Sequence, residues 1–131
     1  MRVNYSEKIF ELNKGSKDYE VVQKEIPESD VAVKPNFSAE VVSTDEKNPW
    51  HYLFNVKNSI FETTFLNENV SPGSLEKVLG SMEKIAREIG AGMIISKNDA
   101  EQFKRIYLEN NYKLFSSSGK RYNAIKQIDF D

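Results

Sequence analysis

The sequence predicts a mixed α/β fold, α+β in its strand directions, with helices packed on the faces of a central mixed sheet and an antiparallel hairpin toward the C-terminus. Three observations carry this expectation. Leu75, Val78, Leu79, Met82, Ile85, Ala86 and Ile89 recur three and four residues apart, which is one apolar helical stripe. Short runs rich in β-branched and aromatic residues stand on both sides of it. Clusters of Asn, Pro, Ser and Gly separate those runs.

The elements follow in chain order. Residues 1–35 carry a weak pattern: Val3 and Tyr5 suggest a strand, and Tyr19, Val22 and Ile26 suggest a short helix ending before Pro27. Phe37 to Thr44, His51 to Lys57 and Ser59 to Leu66 read as a three-stranded meander, broken by Asp45-Glu46-Lys47-Asn48-Pro49 and by Asn58. After Ser71-Pro72-Gly73-Ser74 the amphipathic helix begins. Glu76 sits in its first turn, where the macrodipole favours an anion, and Gly90 is placed to end it.

Gly92-Met93-Ile94-Ile95 is too brief for a helix and reads as a buried strand. Asn98 and Glu101 have the spacing of a capping box, and Ala100, Phe103, Ile106 and Tyr107 form a second helical stripe. Asn110-Asn111 stops that helix, since asparagine tolerates the left-handed conformation. Tyr112 to Phe115 and Arg121 to Ile128 are the final strands, joined across Ser116-Ser117-Ser118-Gly119.

At 131 residues the chain is expected to form one domain, with residues 36–128 as its best-defined core. A hydrophobic content of 39% is enough to offset chain entropy. The absence of cysteine excludes disulfides, thiolate metal sites and a cysteine nucleophile. No stretch approaches the length of apolar chain that spans a bilayer, so a cytoplasmic protein without a membrane partner is expected.

A net charge of -2 argues against broad nucleic-acid affinity. The charge is unevenly spread: residues 1–46 hold six Lys/Arg against ten Asp/Glu, and residues 97–127 hold seven against three. Ordinary solvated surface accounts for this asymmetry; the functional alternative is a phosphate-bearing ligand or an acidic partner.

The order meander, breaker, helix, strand, helix, strand, turn, strand resembles the core of the GNAT (Gcn5-related N-acetyltransferase) superfamily over about residues 37–128. Val70-Ser71-Pro72, then Leu79-Gly80, then Met82 to Gly90 are similar to the family's stretch from fourth strand through central helix. Tyr107-Leu108-Glu109-Asn110-Asn111-Tyr112 resembles its signature of tyrosine, three residues, glycine and an aromatic, with Asn111 in the glycine's place. Lys120 to Lys126 is similar to its last strand. A ferredoxin-like arrangement is the alternative, and would need residues 1–35 to pair differently.

The resemblance implies acetyl-CoA as acyl donor, with the diphosphate held by backbone N–H groups where the central helix opens. The family's Arg or Gln and two glycines there fall on Leu75, Glu76 and Val78 in this sequence. A side chain in place of glycine obstructs the backbone, and a carboxylate repels a diphosphate, so the cofactor loop is degenerate. Val70, Gly73, Ser74, Asn98 and Arg105 are the remaining candidates for binding the cofactor, with Ser71 to Ser74 a candidate anion nest.

The resemblance further implies amine acylation, with Tyr107 as the acid for the leaving thiolate and Glu62 and Glu68 as candidate bases. The alternatives are a core tyrosine at 107, solvent-facing carboxylates at 62 and 68, helix capping by Asn98 and solvation of Lys104 and Arg105. His51, beside Trp50, is assigned to packing or solvent. No metal site is expected. Two functions stay open: an atypical N-acyltransferase, and a non-catalytic GNAT-fold module acting through protein–protein contact. The acceptor amine or protein partner is unspecified, and a second copy of the chain through the exposed final strands is equally compatible. The short N-terminal segment offers little material for a small-molecule pocket.

Overall fold

A computed structural model describes residues 5–14, 18–23, 37–64, 66–116 and 121–128. Its elements are α1 (Tyr5–Asn13), β1 (Tyr19–Gln23), β2 (Phe37–Ser43), β3 (His51–Lys57), β4 (Ile60–Thr64), α2 (Leu75–Ile89), β5 (Met93–Asp99), α3 (Lys104–Glu109), β6 (Lys113–Ser116) and β7 (Tyr122–Gln127). The seven strands form one sheet in the order β1-β2-β3-β4-β5-β7-β6.

The meander β2-β3-β4 is antiparallel, as expected. Asn58 and Ser59, at φ 53° and 64°, make the two-residue turn between β3 and β4, and this mirror-image turn matches strand twist. From β4 the chain crosses through α2 to β5, which lies parallel to β4 with Ile60 opposite Met93 and Thr64 opposite Lys97. β7 then inserts antiparallel between β5 and β6.

α2 is the helix its stripe predicts. Gly90 ends it at φ 85°, a conformation that penalises any side chain with a Cβ. The Gly90 N–H donates to Ala86 O, and Ala91 N–H donates to the same carbonyl at 2.9 Å, which closes the last turn. Asn111 performs the equivalent turn after α3 at φ 67°, with Tyr112 N–H donating to Tyr107 O at 3.0 Å.

Strand alternation puts the core on one side of the sheet. Tyr19 and Val21, Ala39 and Val41, Tyr52 and Phe54, Phe61 and Thr63, Ile94 and Ser96, and Tyr122 and Ala124 are all buried. The residues between them, such as Val22, Leu53, Asn55, Glu62, Ile95 and Asn123, are partly or fully exposed. α2 and α3 pack on the buried side, where each apolar side chain removed from water contributes about 1.5–3 kcal/mol. The Tyr52 hydroxyl donates to Ser81 Oγ at 2.7 Å and Ser81 donates to Val78 O at 2.7 Å, which ties α2 to β3. Ser81 has a single proton, so the Val78 bond fixes the direction of the other.

The N-terminal expectations are reversed. Tyr5 begins a helix rather than belonging to a strand, and Tyr19 and Val22 lie in a strand rather than a helix. Pairing with β2 decides this, because Tyr19 and Val21 alternate onto the buried face. Leu12 of α1 joins the core, and the Asn13 amide grips the outer edge of β1, donating to Val21 O at 2.9 Å and accepting from Val21 N–H at 2.6 Å. Val3, Ile26, Pro27 and the Ser117-Ser118-Gly119 connection lie outside the described residues.

The capping box is overturned as well. Asn98 lies within β5, which runs to Asp99, and Ala100 precedes a 3₁₀ turn over Glu101–Phe103 without a side-chain cap. Sheet pairing of Asp99 with Tyr122 outweighs the local capping preference.

Candidate functional site

Tyr107 projects from α3 into the sheet and is fully buried. The rings of Phe103, Tyr112 and Tyr122 meet it edge-on, with centroids 6.5, 5.0 and 6.1 Å away, the arrangement favoured by ring quadrupoles. Its hydroxyl lies 2.8 Å from Ser96 Oγ, and Ser96 donates to Asp99 Oδ2 at 2.6 Å.

This chain of polar groups exists because of an irregularity in β5. Ser96 pairs with Ala124 and Asp99 with Tyr122, so three steps along β5 match two along β7. Such a bulge returns a residue to the face it would otherwise leave, and here it turns Asp99 to the same side as Ser96. Asp99 and Ser96 are both inaccessible to solvent. Asp99 Oδ1, Tyr112 Oη and Tyr122 Oη are buried without a hydrogen-bond partner among the described residues.

Burial pushes the Asp99 carboxyl up to about 6, against the lowering influence of the Ser96 and Tyr107 hydroxyls, the Arg121 charge and the Leu66 N–H. Burial, then the Asp99 charge, push the Tyr107 phenol far above its usual range. It therefore stays protonated at any physiological pH.

The candidate bases are elsewhere. Glu62, on β4, points to the open face of the sheet and forms an ion pair with Lys97 on β5, so the sheet itself stands between Glu62 and Tyr107. Glu68 is exposed in a 3₁₀ turn over Leu66–Glu68. The three residues considered for acid–base work are thus not gathered at one point. Ser96 and Asp99, which do surround Tyr107, carried no signal in the sequence. A polar stretch after an apolar strand ordinarily marks its exit to solvent, and the bulge that buries it has no residue signature here.

At the opening of α2, Ser71 to Ser74 form a 3₁₀ turn. Ser74 N–H donates to Ser71 O at 3.0 Å, Leu75 N–H donates to Pro72 O, and Ser71 Oγ donates to Ser74 Oγ at 3.2 Å. Two of the N–H groups available to an anion nest are therefore engaged inside the turn. Ser74 and Val70 are buried, and Gly73 is exposed with open space beside its Cα. Leu75 and Val78 are completely buried in the core, while Glu76 faces solvent in the first turn.

The cations of residues 97–127 are largely paired: Lys97 with Glu62, Arg105 with Glu109 at 2.9 Å, Lys126 with Glu83 at 3.1 Å and, more loosely, Lys104 with Glu101 at 3.9 Å. Arg105 is highly exposed in its i,i+4 pair, and the side chain of Asn98 lies outside the described residues. His51 is half exposed, 3.8 Å from Glu40 on the open face. A groove of about 710 Å³ lined by Glu83, Arg87, Met93, Lys113, Ile125 and Lys126 lies on α2, β5, β6 and β7, away from the α2 N-terminus. Among the described residues no group of three or more His, Cys, Asp or Glu is placed to hold a metal ion, and no helix is long and apolar enough to cross a membrane.

No family model matches the sequence, and no curated protein sequence matches it. Solved structures do share its fold. An acetyltransferase from Bacillus cereus superposes with a TM-score of 0.56 at 16% identity, covering 76% of this chain and 79% of that one. PaiA N-acetyltransferase from Thermoplasma acidophilum, solved with coenzyme A, gives a TM-score of 0.55 at 14% identity, covering 70% of this chain and 61% of that one. The chain has the GNAT-like acetyltransferase fold: a mixed seven-stranded sheet with packed helices.

Proposed function

We propose that the domain is an atypical N-acyltransferase that moves an acyl group from a CoA thioester to an amine, its diphosphate end altered and its proton-donor end retained. The observation that supports this is the buried run from Tyr107 through Ser96 to Asp99. Buried polar groups weaken a core unless they are satisfied, and this run leaves Asp99 Oδ1 unsatisfied. A general acid must also hold its proton at the working pH, and this phenol does. Acetyl-CoA as donor is supported by the fold shared with a coenzyme A complex.

A second reading has its own observation. Leu75 and Val78 are core residues, and the N–H groups of Ser74 and Leu75 are satisfied within the turn. That closed helix start favours a binding module that kept the fold without the cofactor, acting on a protein partner or a second copy of the chain.

Calorimetry with acetyl-CoA separates the two, with Glu76→Gln alongside. Micromolar binding by the parent, strengthened about two- to fivefold in Glu76→Gln by removal of a carboxylate from the first helical turn, supports the acyltransferase. A folded parent and variant that both fail to bind would rule it out in favour of the binding module.

A further inference from the structure

The Ser96 hydroxyl has one proton and two neighbours. With Asp99 ionised, a carboxylate only accepts, so Ser96 gives its proton to Oδ2 at 2.6 Å. Tyr107, 2.8 Å from Ser96 Oγ, must then donate inward to Ser96. In that state Tyr107 has no proton to offer in any other direction. With Asp99 protonated the order reverses: the carboxyl donates to Ser96, Ser96 donates to Tyr107 Oη, and the phenolic proton is released from the chain.

We propose that Asp99 is a positioning residue whose protonation sets the direction of the Asp99–Ser96–Tyr107 hydrogen bonds and so decides whether Tyr107 can act as a proton donor. This deepens the acyltransferase reading and rests on it for the fate of the proton. In the acid step the Tyr107 O–H bond breaks and an S–H bond forms on the leaving sulfur, while the developing phenolate is held by the hydrogen bond that Ser96 donates and protonated Asp99 directs. The thiol gains one proton and Tyr107 regains one from water, while Asp99 and Ser96 keep theirs.

The surroundings suit such a switch. Facing Asp99 are the Leu66 N–H from the turn after β4, the Tyr107 phenol on α3, Tyr112 between α3 and β6, Tyr122 on β7 and the Arg121 guanidinium just before β7. The Lys104 ammonium stands 5.7 Å from the centre of the Tyr122 ring. Among the described residues Arg121 is the cation that acts on the carboxyl, and burial outweighs it, leaving the titration at about 6. Because both links are short and the groups are solvent-excluded, a change at Asp99 reaches Tyr107 through the Ser96 hydroxyl, beside the direct effect of the carboxylate on the phenol.

The test follows the Asp99 side-chain carboxyl carbon and the Tyr107 Cζ by ¹³C NMR from pH 4 to 8, in the ligand-free parent and in Ser96→Ala. The expected result is one shared midpoint in the parent, and in Ser96→Ala a retained Asp99 titration with a smaller Tyr107 shift, the part that the carboxylate exerts directly. A Tyr107 resonance that is flat in the parent, or that moves equally without Ser96, overturns the proposal. A second arm compares Asp99→Asn with the parent for acetyl transfer from acetyl-CoA to hexylamine and to a lysine peptide. Asparagine donates to Ser96 at every pH, so the variant-to-parent rate ratio, in which the acceptor's own titration cancels, should climb up to about tenfold per pH unit above 6. A ratio constant with pH sinks the relay while leaving the acyltransferase standing. If neither amine is acetylated, it is the acyltransferase reading that fails, and the NMR result alone decides the relay.

Discussion

Replacing Asp99 with asparagine should make the protein more stable at neutral pH, although it removes a charge from a hydrogen-bonded group. Its carboxyl titrates at about 6 in the folded protein against an ordinary value of 3.8, because burial disfavours the ion. Between those values the folded state holds a proton that the unfolded chain has lost, so stability falls as pH rises through the window and the loss is complete above about pH 6. A shift of roughly two units corresponds to about 3 kcal/mol at about 1.4 kcal/mol per unit. The substituted asparagine escapes this penalty but turns an amide group toward the Leu66 N–H, which forfeits about 1 kcal/mol. The net expectation is a gain of about 2 kcal/mol at pH 8 and none, or a slight loss, at pH 4. Urea unfolding followed by the single tryptophan, Trp50, which is buried, measures both proteins across that range. Asp45 and Glu83 work in the opposite sense. Asp45 is lowered by the Lys47 N–H; for Glu83, burial acts against the shift but Lys126 and Arg87 outweigh it. Both carboxylates are common to parent and variant, so the difference between the two proteins isolates Asp99. A difference that does not change with pH, or one that favours the parent increasingly toward pH 8, would refute the assignment.

Three further outcomes are expected. Val78→Gly should lose about 3 kcal/mol in thermal or chemical unfolding, because Val78 is a core side chain in a helix. Gly80→Ala, on the exposed side of the same helix with open space around its Cα, should gain about 0.5–1 kcal/mol, and a loss would reveal a contact at that surface. Ser81→Ala should cost about 1–3 kcal/mol by stranding the buried Tyr52 hydroxyl, whereas Tyr52→Phe should cost less, since Ser81 keeps Val78 O as its acceptor; equal costs in paired denaturant titrations would contradict the direction assigned to that bond.

Long, locally determined elements were legible in the sequence. α2 declares itself through seven periodic apolar residues and Gly90, and the turn at Asn111 through the tolerance of asparagine for positive φ. The meander and the last two strands followed from β-branched runs between breakers. What stayed hidden was settled by partners distant in sequence. Tyr19, Val22 and Ile26 have a helical spacing, but Tyr19 and Val21 also alternate, and only the pairing with β2 selects the second pattern. Asn98 and Glu101 satisfy a local capping rule that β7 overrides by drawing Asp99 into the sheet. The same event hides the polar chain: Tyr107 could be singled out by its place in a resemblance, whereas Ser96 and Asp99 meet it only after a bulge that the residue types do not announce. Leu75 and Val78, by contrast, were legible as core residues from their places in the apolar stripe of α2.

The grip of Asn13 on Val21 bears on how the molecule keeps to itself. A sheet border offers rows of unused amide groups on which another chain can grow, and such growth is the seed of fibrils and precipitates. At β1 one carboxamide satisfies both the N–H and the C=O of the central residue, acting as a strand one residue long. Growth in register from that border must first displace it. The opposite border, β6, is only four residues long and begins at an exposed lysine, so it offers little length to copy. One side chain and one short strand thus guard the two margins of a sheet that would otherwise be open to polymerisation.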